Sequence, residues 1–419
     1  MQFKLISCSL LIALLTAFTL SASAQCNGRY KNVQFDSLNV TSDIQYGQSV
    51  NLEGDTVDLL LDVYEPVGDT LNERPLIIFA HGGSFTSGSK TNGAIQEISR
   101  RMAKRGFVTA SINYRLTSAG NLADSVKIVK ETIMAAQDGK AALRFFRKDA
   151  AVNGNQFRID TDQMFFGGNS AGAILALHLA YAEYEDTTVM NDEIETLANE
   201  VGGFEGNSGN PGYSSDVDAV VNMSGALKNA AYLDANDQPL LSLHGTNDQT
   251  VPYDRGQVYQ SIPFQLITVE GSSLIHERAD TVGVTNRLKT FYSAGHSPFV
   301  NDTAYMDTTI RVTAEFMQKR CDCYQVTGLV AQNPMDEPSI DVYPNPAPDQ
   351  FTIRLPEDKN GQAAELQLLN NQGQIVRQAS IGKYDRQYRL ERGNLPAGLY
   401  HLSIRQEGGD PLQEKVVLQ

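Results

Sequence analysis

Between residues 75 and 292 the chain repeatedly gathers its apolar residues into short unbroken runs closed by glycine or polar turns. Pro75 to Ala80 and Met164 to Phe166 are of this kind, and Val217 to Met223, Pro239 to Leu243 and Leu288 to Tyr292 resemble them with one or two polar residues inside. Runs this short, without alternation, predict buried strands. Ile174, Leu175, Leu177, Leu179 and Ala180 instead predict a buried helix directly after the second run. An acidic stretch from Glu183 to Thr196 has helical character, and Gly202 to Tyr213 reads as a long loop rich in glycine and asparagine. Residues 324–339 lack periodicity and predict a linker. From residue 340 the pattern becomes alternating, through Phe351–Leu355, Glu365–Leu369, Tyr388–Leu390 and Tyr400–Ile404. Short alternating strands between turns predict a small all-β sandwich over residues 340–419.

The strand-to-helix junction at Gly168-Asn169-Ser170-Ala171-Gly172 carries the first chemistry. A G-x-S-x-G in this setting puts the serine on a sharp, strained turn that lifts its hydroxyl above the sheet, and small neighbours make room for it. Ser170 is thus a candidate nucleophile. A serine hydroxyl needs a base to take its proton, and the base needs a third group to fix its tautomer. Asp248 follows the strand ending at Gly245, and His296 lies on the loop after the Leu288–Tyr292 strand, in the chain order Ser, Asp, His. Other histidines compete for the base: His178 reads as core, His244 as a structural residue pointing along its strand, and His276 as the one rival. The paired glycines Gly82 and Gly83 follow a strand, and their N–H groups, with that of Ala171, are candidate oxyanion donors. Phe204 and Tyr213, in the long loop, are candidate substrate contacts.

Leu61-Asp62-Val63-Tyr64-Glu65-Pro66, His81-Gly82-Gly83, Asn113-Tyr114-Arg115 and the Ser170, Asp248 and His296 segments together resemble the carboxylesterase and lipase branch of the α/β-hydrolases, over residues 50–315. The resemblance implies an α/β fold with a doubly wound, mostly parallel sheet. It also implies ester hydrolysis through a Ser-His-Asp triad and an acyl-enzyme. Ser84 stands where relatives often carry a third glycine, and Ala173 where they carry a second glycine after the elbow; both bear on pocket shape. Val342-Tyr343-Pro344-Asn345-Pro346, Asn371-Gln372-Gly373 and Leu395-Pro396-Ala397-Gly398-Leu399-Tyr400 resemble a type IX secretion C-terminal sorting domain. That resemblance implies a partner in the secretion machinery and passage across a Gram-negative outer membrane.

Lys4, the apolar Leu10–Leu20 segment and Ala22-Ser23-Ala24 predict a signal peptide over residues 1–24. The expected organisation is then a catalytic domain over 25–323, the linker, and the sorting domain over 340–419. The expected location is secreted, outside the cell or on its outer surface. No run approaches the roughly 18 apolar residues of a membrane span, and no transmembrane segment is expected. A net charge of -15 argues against a nucleic-acid partner. In an oxidising compartment Cys26 is expected to pair with Cys321 or Cys323. No cofactor and no metal are expected. The competing functions are a serine peptidase of the prolyl-oligopeptidase type, which normally carries a β-propeller ahead of its hydrolase domain, and an inactive hydrolase-fold binding protein.

Overall fold

The computed structural model describes residues 28–182, 192–258, 267–321, 340–355, 364–370, 374–382, 387–406 and 412–419. The signal peptide, Cys26, Cys323 and the predicted linker lie outside the described residues. The chain divides into two compact units, Met1–Thr327 and Gly328–Gln419.

In the first unit the strands are β1 (Leu38–Val50), β2 (Thr56–Pro66), β3 (Arg74–Ala80), β4 (Val108–Ile112), β5 (Ile159–Asn169), β6 (Ala219–Met223), β7 (Ala226–Leu227), β8 (Leu240–Gly245), β9 (Arg255–Gln257), β10 (Thr268–Gly271) and β11 (Asn286–Phe291). Eight of them form one sheet in the order β1-β2-β4-β3-β5-β6-β8-β11. From β4 to β11 all neighbours are parallel, while β1, β2 and β4 pair antiparallel. Helices α1 (Gly93–Ala103), α2 (Ser125–Val152), α3 (Ala171–Tyr181), α4 (Asp192–Glu200), α5 (Ser272–Val282) and α6 (Thr303–Gln318) complete the unit.

The central strand shows why the sheet must be covered twice. Every residue of β3 is buried. Leu76, Ile78 and Ala80 pack into one apolar cluster with α2, α3 and α5, while Ile77 and Phe79 pack into another with α1 and α6. Side chains alternate across a strand, so an unbroken apolar run can only be satisfied by helices on both faces. This is the α/β, mostly parallel, doubly covered sheet that the sequence predicts.

Near the start of the described chain, Tyr30 and Cys321 share the α1/α6 cluster, and the Gln318 side chain donates to the Arg29 carbonyl at 3.4 Å. The segment that follows Cys26 therefore lies beside the C-terminal end of α6, three residues before Cys321.

The second unit holds β12 (Asp341–Tyr343), β13 (Gln350–Arg354), β14 (Ala364–Leu369), β15 (Ile375–Ile381), β16 (Gln387–Glu391), β17 (Gly398–Gln406) and β18 (Leu412–Leu418). They form antiparallel sheets ordered β12-β13-β16 and β15-β14-β17-β18. One core joins them, with Phe351 and Ile353 from the first and Leu366, Leu368, Leu402 and Ile404 from the second.

One buried group in the first unit lacks compensation. Glu131 on α2 is 1% exposed, and neither carboxyl oxygen has a hydrogen-bond partner. Burial pushes its pKa up to about 8; the Arg115 charge opposes that shift, and Asp138 adds to it. The unfolded side chain ionises near its ordinary value of 4.5, whereas the folded one keeps its proton to about 8. Stability is therefore lost progressively as pH rises through that window. Glu131→Gln should gain stability over the natural protein by an amount that grows between about pH 5 and pH 8. Urea midpoints measured across that range check this, and a pH-independent difference would contradict it.

Candidate active site

At the end of β5, Ser170 adopts φ 55° and ψ −118°. A side-chain-bearing residue at positive φ is strained, and the surroundings must enforce it. Two glycines do so. A Cβ on Gly168 would lie 2.2 Å from the Gly172 carbonyl oxygen, and one on Gly172 would lie 2.3 Å from that of Ala80. Only glycine permits so close a crossing of β5, α3 and β3.

Ser170 occupies the N-cap position of α3, where a serine side chain usually accepts from the first turn. Here it makes no cap hydrogen bond. Its Oγ instead donates to His296 Nε2 at 2.8 Å, and His296 Nδ1 donates to Asp248 Oδ2 at 2.7 Å. A carboxylate can only accept, which fixes the imidazole proton on Nδ1 and leaves Nε2 basic toward the serine. Asp248 and His296 both follow C-terminal ends of parallel strands, as Ser170 does, so the sheet delivers all three to one edge.

Asp248 is 3% exposed. Besides His296, its carboxylate accepts from Thr250 N–H at 2.8 Å, Val251 N–H at 2.9 Å and His244 Nε2 at 3.1 Å. Burial alone would push its pKa up. Hydrogen bonds donated by His244 and His296 outweigh burial and hold the carboxyl well below the usual carboxylate range. His244 Nε2 also faces the Val251 carbonyl at 3.1 Å, so it carries the proton, and Nδ1 accepts from Ser272 Oγ at 2.8 Å. Asn222 then donates to Ser272 Oγ at 3.0 Å. His244, read as structural, thus holds the Asp248 carboxylate from the strand rather than simply pointing along it. On β8 it continues the face of Leu240 and Ser242, and from there its ring reaches the aspartate one turn onward.

The His81-Gly82-Gly83 turn lies against Ser170: a Cβ on Gly82 would approach Ser170 Cβ to 3.2 Å. Gly83 has φ 130°. Tyr114 fixes the turn from below, its hydroxyl donating to the His81 carbonyl at 2.8 Å and its ring stacking on His81 at 4.4 Å. Among the described residues, the N–H groups of Gly82, Gly83 and Ala171 donate no hydrogen bond. Three donors near one serine hydroxyl, none of them spent, form an anion-accepting corner. The His296 loop is tied to the elbow by Ser297 Oγ donating to Asn169 Oδ1 at 2.6 Å.

The rival base lies elsewhere. His276 on α5 bonds Asn286 Oδ1 at 2.6 Å, at the start of β11, and burial lowers its pKa to about 4. The site gathers at the opposite, C-terminal ends of these strands.

An apolar cavity of about 1060 Å³, including its open mouth, starts at Ser170 and Ala171. Phe204 lines it. Tyr213 is not among its lining residues, which corrects that expectation. The loop is pinned by Arg115 donating to Ser208 Oγ at 3.0 Å and by Asn210 donating to the Tyr46 carbonyl at 2.7 Å. Those anchors carry the chain past the cavity before Tyr213. His178, read as core, is half-buried and lines the cavity.

Residues 61–229 match the BD-FAE family, and residues 341–419 match the secretion system C-terminal sorting domain. The first unit thus contains a region similar to BD-FAE, and the second a region similar to a secretion-system sorting domain. The sorting domain marks the chain for export to the cell surface or beyond. Among the described residues no helix is long and apolar enough to cross a membrane.

The chain resembles a probable isoprenylcysteine alpha-carbonyl methylesterase of Arabidopsis thaliana, at 22% identity over 49% of this chain and 45% of the relative. It also resembles gut esterase 1 of Caenorhabditis elegans, at 27% identity over 30% of this chain and 21% of that protein. The chain thus spans less than half the length of either. Among solved structures, the apo form of Thermogutta terrifontis esterase 2 aligns with a TM-score of 0.48 and 21% identity, covering 68% of this chain and 95% of that one.

A hydrogen bond to a charged group contributes about 1.5–3 kcal/mol. His244→Phe should lower stability by about that amount, because it strips one donor from the buried Asp248 carboxylate. Urea unfolding of the two proteins checks this, and an unchanged midpoint would show that the His244 contact contributes nothing.

Proposed function

We propose that the protein is a secreted serine hydrolase that cleaves carboxylic esters through an acyl-enzyme. The observation that carries this reading is the unbroken relay Ser170–His296–Asp248 beside donors that are not otherwise spent. Ser170 Oγ attacks the ester carbonyl carbon while His296 Nε2 takes its proton. The carbonyl oxygen becomes an oxyanion held by Ala171 N–H with those of Gly82 and Gly83. Collapse breaks the carbon–oxygen bond to the alcohol, which leaves with the proton from His296. Water then repeats the sequence on the acyl-enzyme, releasing the acid and restoring Ser170. Asp248 stays ionised throughout and stabilises the imidazolium that forms at each step. Names of relatives that are esterases support the choice of ester. The sorting domain supports transit of a Gram-negative outer membrane by type IX secretion.

Ser170→Ala and His296→Ala should each lower kcat for a simple ester by roughly 10⁴–10⁶, and Asp248→Asn by somewhat less. His276→Ala should stay near the natural rate. A panel of p-nitrophenyl esters and peptide anilides provides the measurement. Faster turnover of the anilides, or a fully active His296→Ala protein, would overturn the reading.

Deleting residues 340–419 in the native host should leave active enzyme in the periplasm. Normal amounts of the shortened protein in the medium would contradict the export role.

A further inference from the structure

The cavity beside Ser170 has a shape that the sequence does not announce. On α2 its lining residues Ile128, Thr132, Ala136 and Lys140 recur every fourth position; on α3 and just beyond it, Ala171, Ile174, His178 and Ala182 recur every third or fourth. Positions so spaced lie on one face of a helix. The cavity is therefore a trough running between two helices, away from the nucleophile. Ala182 lies eleven residue steps beyond Ala171, and at about 1.5 Å per step the trough is about 16 Å long.

Two features fix what the trough holds. The first is its side of the reaction centre. Ser170 and the oxyanion donor Ala171 line it, whereas His296 and Asp248 do not. The leaving alcohol must depart toward His296, which protonates it, so the trough receives the acyl group.

The second is that its polar side chains are largely engaged already. Thr132 Oγ1 donates back to the Ile128 carbonyl at 2.9 Å. His178 Nδ1 donates to the Ile174 carbonyl at 2.8 Å, and its Nε2 accepts from Lys228 N–H at 3.3 Å. Burial lowers the His178 pKa to about 4, keeping the ring neutral. Lys140 pairs with Glu205 at 2.9 Å. The Tyr232 hydroxyl has no hydrogen-bond partner among the described residues, and neither has that of Ser84 at the mouth. Beside Ser84, Phe85 stands at φ 60° with its ring edge-on to Tyr114, a rigid apolar wall at the entrance.

We propose that the acyl side of the substrate is an unbranched aliphatic chain of medium length, about octanoyl to dodecanoyl, laid along the trough between α2 and α3. This rests on the esterase reading of Ser170, and the experiment separates the two. With p-nitrophenyl esters from acetyl to palmitoyl, kcat/KM should rise by up to about fourfold for each added methylene, then fall once the chain exceeds the trough. Ala136→Phe, on the α2 wall, should lower the decanoyl-to-butyryl preference at least tenfold, which is at least about 1.4 kcal/mol. Ala182→Phe, at the far end, is the second blocking variant should the first misfold, and it should shorten the optimum by a few methylenes. Calorimetry with decanoate on the Ser170→Ala protein reads the trough without turnover, and saturable binding, absent with acetate, is expected. Decanoate binding without hydrolysis of any ester would overturn the esterase reading and leave the trough assignment standing. A maximum at acetyl, or no decanoate binding, would overturn the trough assignment. So would preference for an aromatic acyl group whose phenol engages Tyr232.

Discussion

The functional architecture depends on one backbone conformation, that of Ser170. A serine at φ 55° between a strand and a helix cannot cap the helix it begins, so its hydroxyl is released toward the loops and the first N–H of the helix is left without a partner. The same turn thereby places a hydroxyl free of the helix cap and an unspent N–H within one residue of each other, the arrangement that the proposed nucleophile and anion donor require. The strain, of order 1–3 kcal/mol, is held by packing that admits nothing larger than hydrogen at Gly168 and Gly172. The mostly parallel sheet then sets the remaining distances, because the loops that leave β8 and β11 emerge at the same edge as the elbow.

Burial of Asp248 is the second constraint. A carboxylate removed from water needs its lone pairs filled, and four donors fill them: His296, His244 and the N–H groups of Thr250 and Val251. Each donor has a defined place. The two backbone groups belong to the turn itself, and His244 is held through Ser272 and Asn222, within the sheet's interior. The result is an acid that is ionised, immobile and aimed at one imidazole nitrogen, which is what a tautomer-fixing group requires. Glu131, equally buried but without partners, shows the opposite outcome: its proton stays on.

Much of this was legible in the residue order. The elbow motif gave Ser170 because its glycines and its strand-to-helix setting are local properties. Asp248 was legible because it follows the apolar run Leu240–Leu243, and His296 because its loop, closed by Gly295 and Pro298, comes after Asp248 in the chain order Ser, Asp, His. What stayed hidden needed three-dimensional pairing. His244 contacts Asp248 through strand parity and the curl of the turn, although the four-residue spacing and the shared face with Ser242 were a usable signal. Phe204 and Tyr213 looked equivalent in a glycine-rich loop, and only the anchors at Ser208 and Asn210 separate them. The trough beside Ser170 could not be read at all, since its α2 and α3 walls belong to two helices whose relative rotation no linear pattern encodes. In the second unit, alternation alone was enough to predict short strands, while the division into two sheets followed from pairings between distant segments.

The central claim is that Ser170 is a nucleophile made reactive by His296. Mass spectrometry of the protein after reaction with an alkyl fluorophosphonate tests it most directly, because it reads the activated serine without reference to any substrate. The account predicts a single adduct on the peptide containing Ser170. The adduct should be absent from Ser170→Ala, strongly slowed in His296→Ala and retained in His276→Ala. An adduct on another serine, or undiminished labelling of Ser170 without His296, would contradict it.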